Sequence, residues 1–328
     1  MIGAHHPQRG RWAWLLIVLR WAAGIAVIAV LLHFLPLQLL TAAIAQVPPS
    51  RFLAALAGYL LAHTIGVAKW RMVVNAAGAE LDFRTSAQCY FGGLFGTLFL
   101  PSIVGGDAIR LAVGLRRSPR PAAVLAGNVV DRFLDLTAQA SLVLLGLVLL
   151  PASLPSEVEA KTDKAILIAA GAALLIVALS ALLHRPLLRG RSVRFRRRLA
   201  RLRHALRSVS QKSHVLVYGW AVGTFVQVVF LLLTARLAIY CGLALPVRTW
   251  LFAWPLAKLA AMLPLSQGGI GIREAALVGL LAPFGAPKYL VLAAGLIWEA
   301  VVIAGGLIAG VVALLLRGRR PPRLSDTK

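Results

Sequence analysis

Two stretches of the chain are nearly the same phrase: Leu100-Pro101-Ser102-Ile103-Val104-Gly105-Gly106-Asp107-Ala108-Ile109-Arg110 and Leu263-Pro264-Leu265-Ser266-Gln267-Gly268-Gly269-Ile270-Gly271-Ile272-Arg273. Leu, Pro, both Gly, Ile and Arg coincide at one fixed offset. Each phrase interrupts an apolar segment, Tyr90–Leu111 or Trp250–Leu281, that is neither a full membrane crossing nor a solvated loop. Pro cannot donate to the helical ladder and Gly is a poor helix former, so each segment reads as a broken, re-entrant hairpin.

Working outward, the same offset lays the first half of the chain onto the second. A helix needs about 20 apolar residues to cross a hydrocarbon core of about 30 Å. Runs of that kind occur at Trp12–Leu32, Phe52–Ala68 and Phe133–Leu150, and again at Ala165–Leu183, Val215–Tyr240 and Tyr289–Leu316. The repeat unit is therefore two spans, a broken hairpin and one span. Three crossings is an odd number, so the second copy enters from the opposite side, which defines an inverted-topology repeat. The expected fold is an all-α polytopic membrane protein with six full transmembrane helices and two re-entrant hairpins. Residues 1–150 form the first repeat, with its hairpin opening to the cytoplasm. Residues 151–316 form the second, with an exterior-opening hairpin and a basic cytoplasmic loop at 184–214, and residues 317–328 are a basic cytoplasmic tail. In a chain with 29 glycines and 17 prolines such phrases also recur by chance. Chance does not make the spacing and the topology agree.

Composition points the same way. Hydrophobic residues are 59% of the 328 positions and charged residues 14%, far from the roughly half apolar and quarter charged balance of soluble domains. The runs are continuously apolar, without the alternation of a β-barrel wall. The net charge of +24 sits at helix ends. Eleven basic residues lie between His184 and His214, and Arg317, Arg319, Arg320, Arg323 and Lys328 follow Leu316. This distribution reads as positive-inside orientation, with both termini cytoplasmic, and not as nucleic-acid binding. Pro151–Lys164 and His33–Ser50 read as external. Lys69, Arg71 and Arg84 precede the first hairpin and are assigned to its cytoplasmic flank. Within the basic loop, Phe195, Leu199, Leu202, Leu206 and Val209 fall at helical spacing, which predicts an amphipathic helix on the cytoplasmic leaflet; binding of anionic head groups and simple orientation by charge both fit it. Cys89 and Cys241 make no disulfide framework, and the histidines lack metal-ligand spacing, so no metal or other cofactor is expected. His63, inside the second span, reads as a packed or hydrogen-bonded residue.

Charge at bilayer depth needs a partner or a watery cavity. The first hairpin offers Asp107 and Arg110, the third span Asp131, Arg132 and Asp135, the second hairpin Lys258, Arg273 and Glu274, and the last span Glu299. Asp131 and Asp135 share one helical face that could meet Arg110 or Arg273, while Arg132 lies about 100° round from Asp131. The plainer reading puts Asp131 and Arg132 at the cytoplasmic interface where the third span begins. Gly105, Gly106, Gly268 and Gly269 let the backbone approach a ligand, or serve close helix packing. Arg110 and Arg273 supply positive charge beside them, suited to a phosphate-bearing head group.

These residues resemble the flippase-like family named after the transmembrane region of lysylphosphatidylglycerol synthase, which includes hopanoid-cluster members. The resemblance rests on Gly105-Gly106-Asp107 with Arg110, on Asp131-Arg132, and on Pro264, Ser266, Gly268-Gly269, Gly271, Arg273 and Glu274. Asp131 stands where the family pattern has the longer Glu. The resemblance implies a multi-pass protein of a bacterial-type inner membrane that moves a lipid or lipid-linked molecule between leaflets. Synthases of the family carry a soluble aminoacyl-transfer domain; with twelve residues after Leu316, none is expected here, and aminoacyl-lipid synthesis by this chain alone is not expected. On this reading Arg110, Arg273, the paired glycines and Ser266 bind an anionic head group, while Asp107, Asp131, Arg132, Asp135, Glu274 and Glu299 gate or couple to protons. Membrane lipids are the expected partners, with envelope-lipid biosynthesis enzymes beside them. Two other readings stay open: a membrane-embedded transferase on a lipid or polyprenyl phosphate, with Asp107 or Glu274 as base, and a non-transporting assembly partner.

Overall fold

A computed structural model describes residues 37–100, 105–150, 193–262, 266 and 268–317, together with a few helical positions between 18 and 33. The described residues are helices and short connections, without strands. Among them, ten α-helices run in the order α1 (Leu37–Ala45), α2 (Pro49–Ala76), α3 (Phe83–Gly96), α4 (Gly105–Arg117), α5 (Pro121–Leu149), α6 (Val193–Ser210), α7 (Ser213–Tyr240), α8 (Val247–Ala260), α9 (Ile272–Leu281) and α10 (Lys288–Leu315).

Four of these, α2, α5, α7 and α10, are long and apolar enough to cross a membrane. They match the expected second, third, fifth and sixth spans. The first span, Trp12–Leu32, lies mostly, and the fourth, Ala165–Leu183, wholly outside the described residues, as do the segment Pro151–Lys164 and the tail beyond Arg317. Proline sets where two of the long helices begin, at Pro49 and Pro121, because the first turn has no use for the missing amide hydrogen. Asp82 caps α3 by accepting from the Thr85 amide at 3.3 Å, and hydrogen bonding to the Thr85 side chain, with the amide adding to it, holds its carboxyl below the usual range. Large apolar side chains cover the outside of the long helices, with Val148 79% and Leu315 74% exposed. Lipid solvates such a surface, and water would not. Inside, Trp70, Trp250, Trp254, Trp298 and Phe252 are fully buried.

Both broken phrases interrupt the helix where expected. The first break falls between α3 and α4, the second between α8 and α9. Packing partners exchange between the halves. Helix α3 lies on α10 and α8 lies on α5; α2 packs on α5 and α7 on α10; α5 meets α7 as α10 meets α2; α6 rests on α5 as α1 rests on α10. At two of these seams a glycine admits the partner: a Cβ on Gly146 of α5 would come 2.6 Å from the Phe252 nitrogen, and one on Gly310 of α10 would overlap the Phe95 ring.

Three expectations need correction. Helix α5 starts at Pro121, well before Phe133, so Asp131 and Arg132 lie about three turns inside a helix and not at its start. Helix α2 continues through Ala76, so Lys69 is a buried residue of a span instead of a flank of the hairpin. Both differences have one cause: a hydropathy run stops at its first charges, whereas a helix continues wherever those charges find partners. Helix α6 forms as predicted, but the described part of its apolar face is taken up by protein. Val209 is buried and Leu202 and Leu206 pack against the core, while Ser208 Oγ and Lys212 Nζ donate to the Ala76 carbonyl at the end of α2, at 3.1 and 2.9 Å.

Candidate functional site

Nearly all of the sequence-predicted ionisable residues fall into two buried ionic clusters. The first gathers α2, α4 and α5. Helix α5 holds Asp131 and Asp135 on one face, one turn apart, and both reach Lys69 Nζ, at 2.9 and 2.5 Å. Arg132, on the neighbouring face, donates from Nη2 to Asp107 Oδ1 at 2.5 Å, and its Nε stands 2.5 Å from Oδ2 as an ion pair. Arg110 stands between, 3.7 Å from Asp107 and 3.6 Å from Asp131. Its guanidinium lies over the Tyr90 ring at 4.1 Å and the Trp70 ring at 5.6 Å. Most of these groups are sealed; Arg132 and Asp135 are the members with appreciable exposure, 26% and 20%.

The second cluster is smaller. Arg273 Nη2 donates to Glu274 at 2.7 Å and to Glu299 of α10, and Glu274 also accepts the Gly271 amide at 2.8 Å, closing the first turn of α9. The Arg273 guanidinium is 5.9 Å from the Trp254 ring centre. Trp254 and Trp298 pack edge to face at 5.4 Å, and Tyr59 adds a ring against Trp298. The two arginines of the repeated phrase are thus held alike. Each takes one carboxylate from its own helix, one from the long helix that follows, and an aromatic face from the helix before the break.

The glycines divide by role. Gly105 and Gly106 open helix α4, and a Cβ on Gly106 would overlap the Gly93 carbonyl oxygen, so Gly106 lets α4 press on α3. Gly268, Gly269 and Gly271 instead take φ of 59°, 82° and 82°, the left-handed region that favours glycine. A Cβ on Gly268 would lie 3.2 Å from the Thr97 carbonyl, which puts the two breaks in contact. Ser266 is buried, and its Oγ has no hydrogen-bond partner among the described residues. The remaining residues of the phrases, Pro101–Val104, Leu263–Leu265 and Gln267, lie outside the described residues.

A cavity opens from the first cluster. Its wall includes Lys69, Asp107, Arg110, Asp131, Arg132 and Asp135, the glycines Gly106 and Gly223, Thr97 at the first break, and Lys258 from α8. It leaves about 100 Å³ for the centres of water-sized groups, and one water needs roughly 10–15 Å³. Several waters or one small anion fit. A second, mainly apolar hollow between α4 and α5 shares Asp107 and Arg132 with it. His63 behaves as a packed residue on this wall, with Nδ1 3.3 Å from the Tyr90 hydroxyl. Among the described residues no group of His, Cys, Asp and Glu is arranged to hold a metal ion, and both cysteines are buried and free.

Lys69 is the main residue that sequence reasoning misplaces. Its signal is present: counted back along a helix ending before Gly78, Lys69 lies one turn from Val73 and shares its buried face. Tyr90 and Gln227 carry no signal in sequence, because their roles depend on which cation is brought to them.

Long apolar helices around buried, mutually neutralising charge define a multi-pass helical membrane protein with an ionic core. The chain belongs to the family described as the lysylphosphatidylglycerol synthase TM region, which it matches over residues 17–310. No match is found among curated proteins.

Proposed function

We propose that this protein moves an anionic lipid or lipid-linked molecule between the leaflets of a bacterial-type inner membrane, with both termini in the cytoplasm. The observation that carries the reading is a charge-walled cavity that lies among the long apolar helices and is reached beside an apolar hollow. A head group crossing hydrocarbon needs such a polar shelter, since a bare charge there costs at least about 2.5–3.5 kcal/mol. The two halves are proposed as inverted repeats with re-entrant hairpins, and the exchange of packing partners between them supports this. Rocking one half against the other would then alternate access.

In this proposal Arg110 and Arg273 serve the head group in turn. Each is held by two carboxylates, Asp107 and Asp131 or Glu274 and Glu299, so proton uptake by those acids frees the guanidinium for substrate. The paired glycines and Ser266 bring backbone and hydroxyl close to it, and the Arg132–Asp107 and Asp135–Lys69 pairs gate the cavity. The test is head-group exposure in proteoliposomes. Arg110→Ala with Arg273→Ala is expected to slow translocation at least tenfold, and an unchanged rate would remove the arginines from the mechanism.

A further inference from the structure

The geometry points to the Lys258 ammonium as the group in the cavity that binds a phosphate-class anion of the substrate. The inference deepens the proposed function and rests on its reading that an anionic head group enters this cavity.

The charges on the cavity wall do not balance. Lys69, Arg110, Arg132 and Lys258 face Asp107, Asp131 and Asp135, four positive groups to three negative. Lys69, Arg110 and Arg132 each have two carboxylates within 3.7 Å. Lys258 makes no ion pair among the described residues. Its Nζ donates to the neutral Gln227 Oε1 at 2.8 Å and lies 5.1 Å from the centre of the Phe230 ring. An amide oxygen and a ring face hold an ammonium in place without cancelling its charge.

A structural role for the lysine would be to complement the end of its own helix, since Lys258 sits in the last turn of α8. The ammonium reaches across to α7 instead. The matching turn of α3, in the other half of the molecule, has no basic residue, so the repeated architecture does not call for one there. The space beside Lys258 takes one small anion, and a phosphate diester carries one negative charge, which brings the wall to neutrality. Lysine binds phosphate as a point charge and makes no demand on a fixed fork geometry.

The test uses the full chain in a neutral detergent, with unfolding followed by tryptophan fluorescence. The probes are dioctanoyl phosphatidylglycerol, dioctanoyl phosphatidylcholine, whose choline cancels the phosphate charge, and inorganic phosphate. Phosphatidylglycerol is expected to raise the Tm of the wild type and of Lys258→Arg, and phosphatidylcholine to raise it less. Lys258→Met should need at least tenfold more phosphatidylglycerol for the same shift. Without ligand, Lys258→Met should unfold no earlier than the wild type, because it loses an unpaired buried charge and no ion pair. A shift with inorganic phosphate alone that is lost in Lys258→Met would support the anion site and overturn its assignment to the lipid. A shift equal in Lys258→Met and the wild type, a shift equal for the two lipids, or no shift with any probe overturns the inference. Binding through Lys258 without translocation in proteoliposomes would sink the transport reading and leave this one standing; wild-type translocation by Lys258→Met would do the reverse.

Discussion

The two ionic clusters use the same parts to different ends. Around Arg273 the space left by two glutamates is filled by Trp254, Trp298 and Tyr59, and Glu274 is fully buried. Around Arg110 the corresponding space stays partly open, with Arg132 and Asp135 reaching its edge and Lys258 on its wall. The sealed triad is closed in this arrangement and braces α9 against α10 until its carboxylates take up protons. A cluster beside a cavity has carboxylates and cations that can exchange partners with water or with a ligand. The difference between the closed and the open cluster therefore lies in what packs around the charges, more than in the charges themselves.

The comparison breaks most visibly at Glu274. Glu274→Leu leaves Arg273 with one carboxylate and the Gly271 amide without its acceptor, and should cost about 3–5 kcal/mol of stability, the usual consequence of removing one partner of a buried pair. Replacing all three members, with Arg273→Met, Glu274→Leu and Glu299→Leu, should recover most of that loss. Unfolding in mixed micelles reads both, and a harmless single change would show that the triad braces nothing.

Lys69→Met tests the open cluster. It leaves Asp131 and Asp135 facing each other without their shared cation, at an expected loss of about 2–3 kcal/mol, less than in the sealed triad because water reaches the cavity. Adding Asp131→Asn and Asp135→Asn should restore stability while translocation stays low. Restored transport would mean that these charges serve folding alone.

The smallest effect concerns the breaks. Gly106→Ala pushes a methyl group into the Gly93 carbonyl and should cost about 1–3 kcal/mol. Gly279→Ala, on α9 with no heavy atom within 4 Å of the added carbon, should instead gain up to about 1 kcal/mol from helix propensity. Equal effects at the two positions would argue against close α3–α4 packing as the function of Gly106.

Much of the architecture was legible in the chain. Apolar run length located four long helices, and the repeated phrase located both breaks, because Pro and Gly act on the backbone locally. The face shared by Asp131 and Asp135 was legible for the same reason, as helical periodicity is a local property. The helix start at Pro121 and the burial of Lys69 were not, since hydropathy counts a charge as exposed until its partner is known. The packing of α6 on protein was hidden likewise: an amphipathic pattern shows that one face will be covered and is silent about what covers it.

By itself the sequence determined that the chain is helical and membrane-bound, where its helices break, and which charges must be sheltered. Only the tertiary structure decided that Arg110 and Arg273 are each clamped by two carboxylates, that Lys69 completes one cluster, and that Lys258 faces the cavity with a neutral partner. The reason is physical: backbone geometry and hydrophobic length are set within one segment, while the pairing of buried charges depends on distances between segments far apart in the chain.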